Sequence, residues 1–128
     1  ESDMDESVSF IKDLSRSCGS IIVMTGSTDL VTDGERCFAV RNGRKEMESI
    51  TGTGCQLSAL ITAFITANPQ NCIEAAASAV CAMGLAGEIA WNNMQPSDGN
   101  SAYRSRIIDA ICNLDGEKLE KGAIYEIR

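Results

Sequence analysis

From Ile73 to Ala90 the chain carries only two charged side chains, Glu74 and Glu88, among seven alanines and the glycines Gly84 and Gly87. The stretch reads as one helix running from Asn71 to about Asn93. A helix that is apolar nearly all round must be covered nearly all round. Its small residues let neighbours approach closely. It therefore belongs between the layers of a fold or at a contact between subunits, and the rest of the chain must supply that cover.

The rest supplies too little. Asp3 to Cys18 reads as a helix with Asp3, Asp5 and Glu6 in its first turn, where the dipole favours acids, and with Gly19 as a stop. Ser20 to Thr25 is a continuous apolar run that fits a strand buried on both faces, as in a parallel sheet. Leu30–Asp33 and Arg36–Arg41, joined by Gly34-Glu35, read as a hairpin with alternating faces, and Asn42-Gly43 is a turn. Met47–Ile50 reads as one more short strand. Gln56 to Ala67 is an apolar helix ended near Asn68-Pro69. Ser101 to Leu114 is an amphipathic helix, and Ala123–Tyr125 a closing strand. One buried strand and a hairpin cannot cover three largely apolar helices. The chain reads as α/β, and as half of something or a subunit of something.

Composition narrows the chemistry. The 128 residues hold 11 basic and 18 acidic side chains, six cysteines and no histidine, for a net charge of −7. Without histidine there is no Ser-His-Asp or Cys-His unit and no imidazole ligand for zinc. Proton transfer falls to a carboxylate, a thiol, a lysine, a tyrosine or the substrate. The acidic balance argues against nucleic acid or an anionic membrane as the main partner. The longest apolar stretches, Leu57–Ala67 and Ala75–Gly87, fall short of the ~18–20 residues of a membrane span. The cysteines form no CxxC pair, and Cys72, Cys81 and Cys112 fall in apolar helical contexts. Reduced, buried thiols of a cytoplasmic protein are the expectation.

The stretch Ile50-Thr-Gly-Thr-Gly-Cys-Gln-Leu-Ser58 carries the chemical signal. Gly52 and Gly54 let the backbone turn tightly and approach a ligand. The helix that begins at Thr53 to Cys55 aims unpaired amides and the positive end of its dipole at one point, a ready anion site. For phosphoryl transfer such donors neutralise developing charge. Cys55, in the first turn, can accept a proton from a hydroxyl or orient it. Spacing alone favours a plain strand-to-helix turn with Thr capping and a small buried cysteine. Thr25, at the end of the apolar strand, sits where ligands bind in open α/β sheets, although a plain turn residue also fits. Arg41, Arg44 and Lys45 read as solubilising residues on an exposed turn. Asp29 and Asp33 read as solvent-facing hairpin acids, and Met83, Trp91 and Met94 as packing.

Taken together, Val23-Met-Thr-Gly, Asp29-Leu-Val-Thr-Asp-Gly34, Ala39-Val-Arg-Asn-Gly43 and Ile50-Thr-Gly-Thr-Gly-Cys-Gln-Leu-Ser-Ala59 closely resemble hydroxyethylthiazole kinase, a family of the ribokinase-like superfamily. The likeness runs over nearly the whole chain in the same order. Cysteine at the end of the glycine loop, where most of the superfamily has aspartate, points to the thiazole kinase branch. The resemblance implies that residues 1–128 are the C-terminal half of one ribokinase-like three-layer α/β/α domain, with a β-hairpin and a glycine loop leading into a helical layer. It implies ATP-dependent phosphorylation of the primary alcohol of 4-methyl-5-(2-hydroxyethyl)thiazole in thiamine salvage. Cys55 would take the place of the usual catalytic aspartate. Gly52, Thr53 and Gly54 would form the anion hole, with Gly52 also near the thiazole, and Thr25 would contact ATP.

The family chain is about twice this length. Its first half supplies much of the thiazole pocket, further ATP contacts and the carboxylates associated with magnesium, so no metal ligand falls within this chain. The implied partners are ATP with Mg2+, the thiazole alcohol, an N-terminal half, and further copies in a trimer. The alternatives are a hydroxymethylpyrimidine-type kinase or an ATP-dependent dehydratase on the same fold, or an inactive nucleotide-binding fragment.

Overall fold

The computed structural model describes residues 2–128. At its centre is the helix α3 (Cys72–Asn92), which buries 14 of its 21 residues. Before it come α1 (Ser2–Cys18), β1 (Ile22–Met24), β2 (Asp29–Thr32), β3 (Cys37–Val40), a 3-10 turn (Lys45–Ser49) and α2 (Thr53–Ala67). After it come α4 (Asn100–Cys112), α5 (Gly116–Gly122) and β4 (Tyr125–Ile127). The four strands lie in the order β1-β2-β3-β4, each antiparallel to its neighbour.

The register pairs Leu30 with Ala39 and Val31 with Phe38. Period-two alternation then sorts the sheet's side chains between two cores. Leu30, Cys37 and Ala39 meet Val8 and Ile11 of α1. Val31, Phe38 and Val40 meet Ile73, Ala76, Ala77 and Val80 of α3. A third core lies between α3 and α4, where Met83, Ala86 and Ala90 meet Tyr103, Ile107 and Ala110. The layers are thus α1, the sheet, and the helices α2 to α4, which is the α/β arrangement expected. Met83 is buried in this third core, and Trp91 and Met94 pack against it, so all three serve as packing.

Several local expectations are corrected. The run after Gly19 is not buried on both faces of a parallel sheet. β1 has three half-buried residues and pairs only with β2, antiparallel, which leaves its other edge free among the described residues. Met47–Ile50 is not a strand. Both edges of β3 are already taken, by β2 and β4, so this segment closes on itself. Met47 donates to the Arg44 carbonyl at 3.1 Å and Ile50 to the Met47 carbonyl at 3.1 Å. The closing strand starts two residues later than expected, because α5 runs to Gly122. Cys81 is buried, but Cys72 is only half-buried and Cys112 is exposed. α3 is longer than the apolar stretch read from the sequence and has the length and composition of a membrane span. Two thirds of its apolar window is nevertheless buried against the chain itself, as a core helix requires.

Candidate functional site

Two turns and one helix start converge on a cleft of about 560 Å³. β1 and β3 run in the same direction, because each is antiparallel to β2. The turns that follow them therefore lie at the same end of the sheet. The first brings Thr25, Gly26 and Ser27 to the cleft, and the second brings Arg41 to Lys45. Val80, Met83 and Gly84 of α3 and Thr53 and Gly54 of α2 complete the wall.

Each turn is tied down. The Gly26 amide donates to Asp29 Oδ1 at 2.9 Å. Asn42 is buried and makes three bonds with its side-chain amide. Its Nδ2 donates to Glu88 Oε2 at 2.8 Å and to the Gly122 carbonyl at 2.9 Å, and its Oδ1 accepts from the Ile124 amide at 2.7 Å. Every polar atom of that side chain is satisfied, which a buried amide needs. Gly84 permits the contact. A Cβ there would lie 2.7 Å from the Asn42 carbonyl carbon, so only glycine lets the second turn rest on α3.

The start of α2 has the geometry the glycine loop implied. Gly52 is the N-cap, with φ of 96° and no capping side chain. Nothing lies within 4 Å of where its Cβ would stand, so its backbone conformation, not space, requires glycine. Gln56 is the first amide of the helix to find a carbonyl, that of Gly52 at 3.0 Å. The amides of Thr53, Gly54 and Cys55 precede it, as free donors at a helix start.

Of the residues singled out from sequence, Thr25, Thr53 and Gly54 line this one cleft. Gly52 stands beside it, half-buried, outside the lining. Cys55 is exposed on the first turn of α2 and is also outside the lining. A second hollow of about 530 Å³, between the ends of α3 and α4, holds none of these residues.

The cleft also recruits residues that the sequence reading assigned to solvent. Arg41, Arg44 and Lys45 line it, against the carboxylates Asp29 and Glu48. Burial pushes the Asp29 carboxyl above its usual value, and the Gly26 amide offsets this only in part. The signal for the cations was topological: a basic turn after the second of two co-directional strands shares an end with the turn after the first. Among the described residues no three His, Cys, Asp or Glu side chains gather where they could hold a metal ion.

Comparison with known proteins fixes the lineage. Residues 1–117 match a model described as the hydroxyethylthiazole kinase family. The chain belongs to that family. It is 46% identical over 123 residues to a hydroxyethylthiazole kinase of Clostridium acetobutylicum, which covers 96% of this chain and 45% of the relative. It is 40% identical over 109 residues to a hydroxyethylthiazole kinase of Methanosarcina mazei, covering 85% of this chain and 40% of the relative. The fold agrees with the solved structure of a hydroxyethylthiazole kinase from Pyrococcus horikoshii OT3. There the TM-score is 0.88 at 25% identity, covering 99% of this chain and 48% of that one. The chain thus spans less than half the length of these relatives.

Proposed function

We propose that this chain carries the phosphoryl-transfer half of a kinase that moves the terminal phosphoryl group of ATP to the primary alcohol of 4-methyl-5-(2-hydroxyethyl)thiazole, a step of thiamine salvage. The observation that carries this reading is the shared cleft. The turn after β1, with Thr25, and the free amides at the start of α2 meet there, in a chain of this family.

ATP lies in the cleft with its phosphates at Thr25, Thr53 and Gly54. The substrate hydroxyl oxygen attacks the terminal phosphorus while the bond to the bridging oxygen of ADP breaks. Charge that develops on the moving group meets the amides of the anion hole, Gly52 to Gly54. Cys55 takes up the hydroxyl proton or orients it. Its exposure, outside the nucleotide cleft, suits an acceptor that approaches from another side, with Gly52 against the thiazole. Magnesium is expected to accompany the nucleotide, and among the described residues no cluster of His, Cys, Asp or Glu side chains fits the ion.

The remaining half covers α2. That helix has no charged residue and no fully buried one. Its exposed residues, Gly54, Cys55, Ser58, Ala59, Thr62, Ala63, Thr66 and Ala67, recur at helical spacing as one small, uncharged face. Cys55 lies on it, so the missing half would close over the reacting thiol. The exposed Phe10, Ile108, Ile124 and Ile127 suit a homo-oligomer, expected to be a trimer. All six cysteines are free, which suits the cytoplasm. The same uncovered helix favours a second reading for the chain by itself: it binds nucleotide without turnover.

The test joins the N-terminal segment of the Clostridium acetobutylicum relative to this chain and follows ADP release. The expected result is release that depends on the thiazole alcohol. Cys55→Ala is then expected to lower kcat by about 10²-fold or more while leaving the KM for ATP unchanged. Release that is no faster with the thiazole alcohol than with a hydroxymethylpyrimidine overturns the substrate assignment. Full turnover by the alanine variant overturns the role of Cys55.

A further inference from the structure

Three of the 11 basic residues, Arg41, Arg44 and Lys45, fall within five positions, and all three line the cleft. Two of them are already engaged. Arg41 Nη2 lies 2.8 Å from Glu126 Oε1. Arg44 bonds both carboxylate oxygens of Glu46, at 3.0 and 3.1 Å, and its guanidinium carbon sits 5.1 Å from the centre of the Trp91 ring. Lys45 is different. It is exposed, and no carboxylate lies within 4.0 Å of its ammonium among the described residues.

The backbone that carries Lys45 is anchored. It begins the 3-10 turn, three residues after Asn42. The three bonds of the Asn42 side chain and the close approach of Gly84 hold that turn against α3. A lysine whose ammonium has three unengaged donors thus rises from an anchored backbone at the wall of a cleft whose other wall offers free helix amides. A compact cation of this kind suits phosphate oxygens, which accept from any direction.

We propose that Lys45 binds the polyphosphate of the nucleotide in this cleft. The inference rests on the nucleotide reading above and adds a residue that the motif does not contain. Arg44 makes it measurable, since it lines the cleft and stacks on Trp91, the single tryptophan of the chain.

The experiment titrates the 128-residue chain with ATP, inorganic tripolyphosphate and adenosine, by calorimetry and by Trp91 fluorescence. The variants are Lys45→Gln, Lys45→Arg and Lys12→Gln, the last removing a cation from α1, outside the cleft. Lys45→Gln is expected to weaken ATP and tripolyphosphate by about tenfold, the loss of one charge-assisted contact. Adenosine binding is expected to stay unchanged, Lys45→Arg to restore most of the affinity, and added salt to narrow the gap between wild type and Lys45→Gln. If the wild type binds ATP and Lys45→Gln binds it equally well, the proposal is wrong while the nucleotide reading stands. An equal loss in Lys12→Gln also overturns it, since net charge alone would then explain the effect. A wild type that binds neither ATP nor tripolyphosphate overturns the nucleotide reading and this inference with it.

Discussion

Gly52 and Asp29 meet opposite demands in the same region. Gly52 has open space around it and a φ of 96°, which L side chains rarely adopt. Gly52→Ala is therefore expected to cost about 1–2 kcal/mol from backbone strain alone. Chemical denaturation checks this, and a loss near zero would mean that the loop relaxes without its glycine. Asp29 carries a carboxylate into partial burial with one amide for a partner. Its folded value lies above the 3.8 of a free carboxyl, so the fold disfavours its charged form. That penalty is complete above the folded value and fades as pH falls through it towards 3.8. Asp29→Asn keeps an acceptor for the Gly26 amide and removes the charge. It is expected to raise the melting temperature at pH 7 and to lose that advantage near pH 4. An advantage of equal size at both pH values would show that burial of charge is not the cause. Cys81 shows the same physics at a thiol, pushed up to about 11 chiefly by burial, which keeps it inert inside the core.

α3 and the turn that rests on it decide whether the cleft has a wall. Gly84→Ala would drive a methyl group into the Asn42 backbone, at 2.7 Å from its carbonyl carbon. Backbone cannot swing aside as a side chain can. The expected cost is about 1–3 kcal/mol, read as a fall in melting temperature of about 5 °C or more. The shifted turn should also weaken binding of tripolyphosphate. A variant that melts like the wild type and binds as tightly would deny the close packing. This helix was legible in the sequence because two charges in 18 residues leave it no solvent-facing side. The hairpin was legible from alternation around Gly34, and the helix start at Thr53 from its glycines. The 3-10 turn was not, because it is a strand-like run that follows β3, whose two edges are taken by β2 and β4. The composition of β1 reports the burial a strand can take, and not the neighbours it has within this chain. Half of the cleft stayed hidden for a related reason. Thr25, Thr53 and Gly54 announce themselves by local turn chemistry, whereas Arg41 to Lys45 become cleft residues only through the pairing of β1 and β3 with β2.

The molecule as described has cores between α1 and the sheet, between the sheet and α3, and between α3 and α4, but nothing outside α2. Fifteen residues without a charge, none of them fully buried, form an unusual outer helix. A contiguous face of small, uncharged residues lets another surface pack closely on it. The relatives extend to more than twice the aligned length, so in them a second body of chain is available for such a contact. A lysine at Ala63, on the exposed side of α2, distinguishes a contact face from a solvated one. At a solvated position, Ala63→Lys costs at most about 0.5 kcal/mol. In the 128-residue chain it should leave stability unchanged and suppress the concentration-dependent association expected from the bare face, which sedimentation measures. In the protein completed with the N-terminal segment of the Clostridium acetobutylicum relative, the same lysine would have to bury its charge in a close-packed contact. There it should lower the melting temperature and the rate together. If Ala63→Lys is silent in both proteins, α2 faces water in the completed protein, and the cover for Cys55 must come from elsewhere.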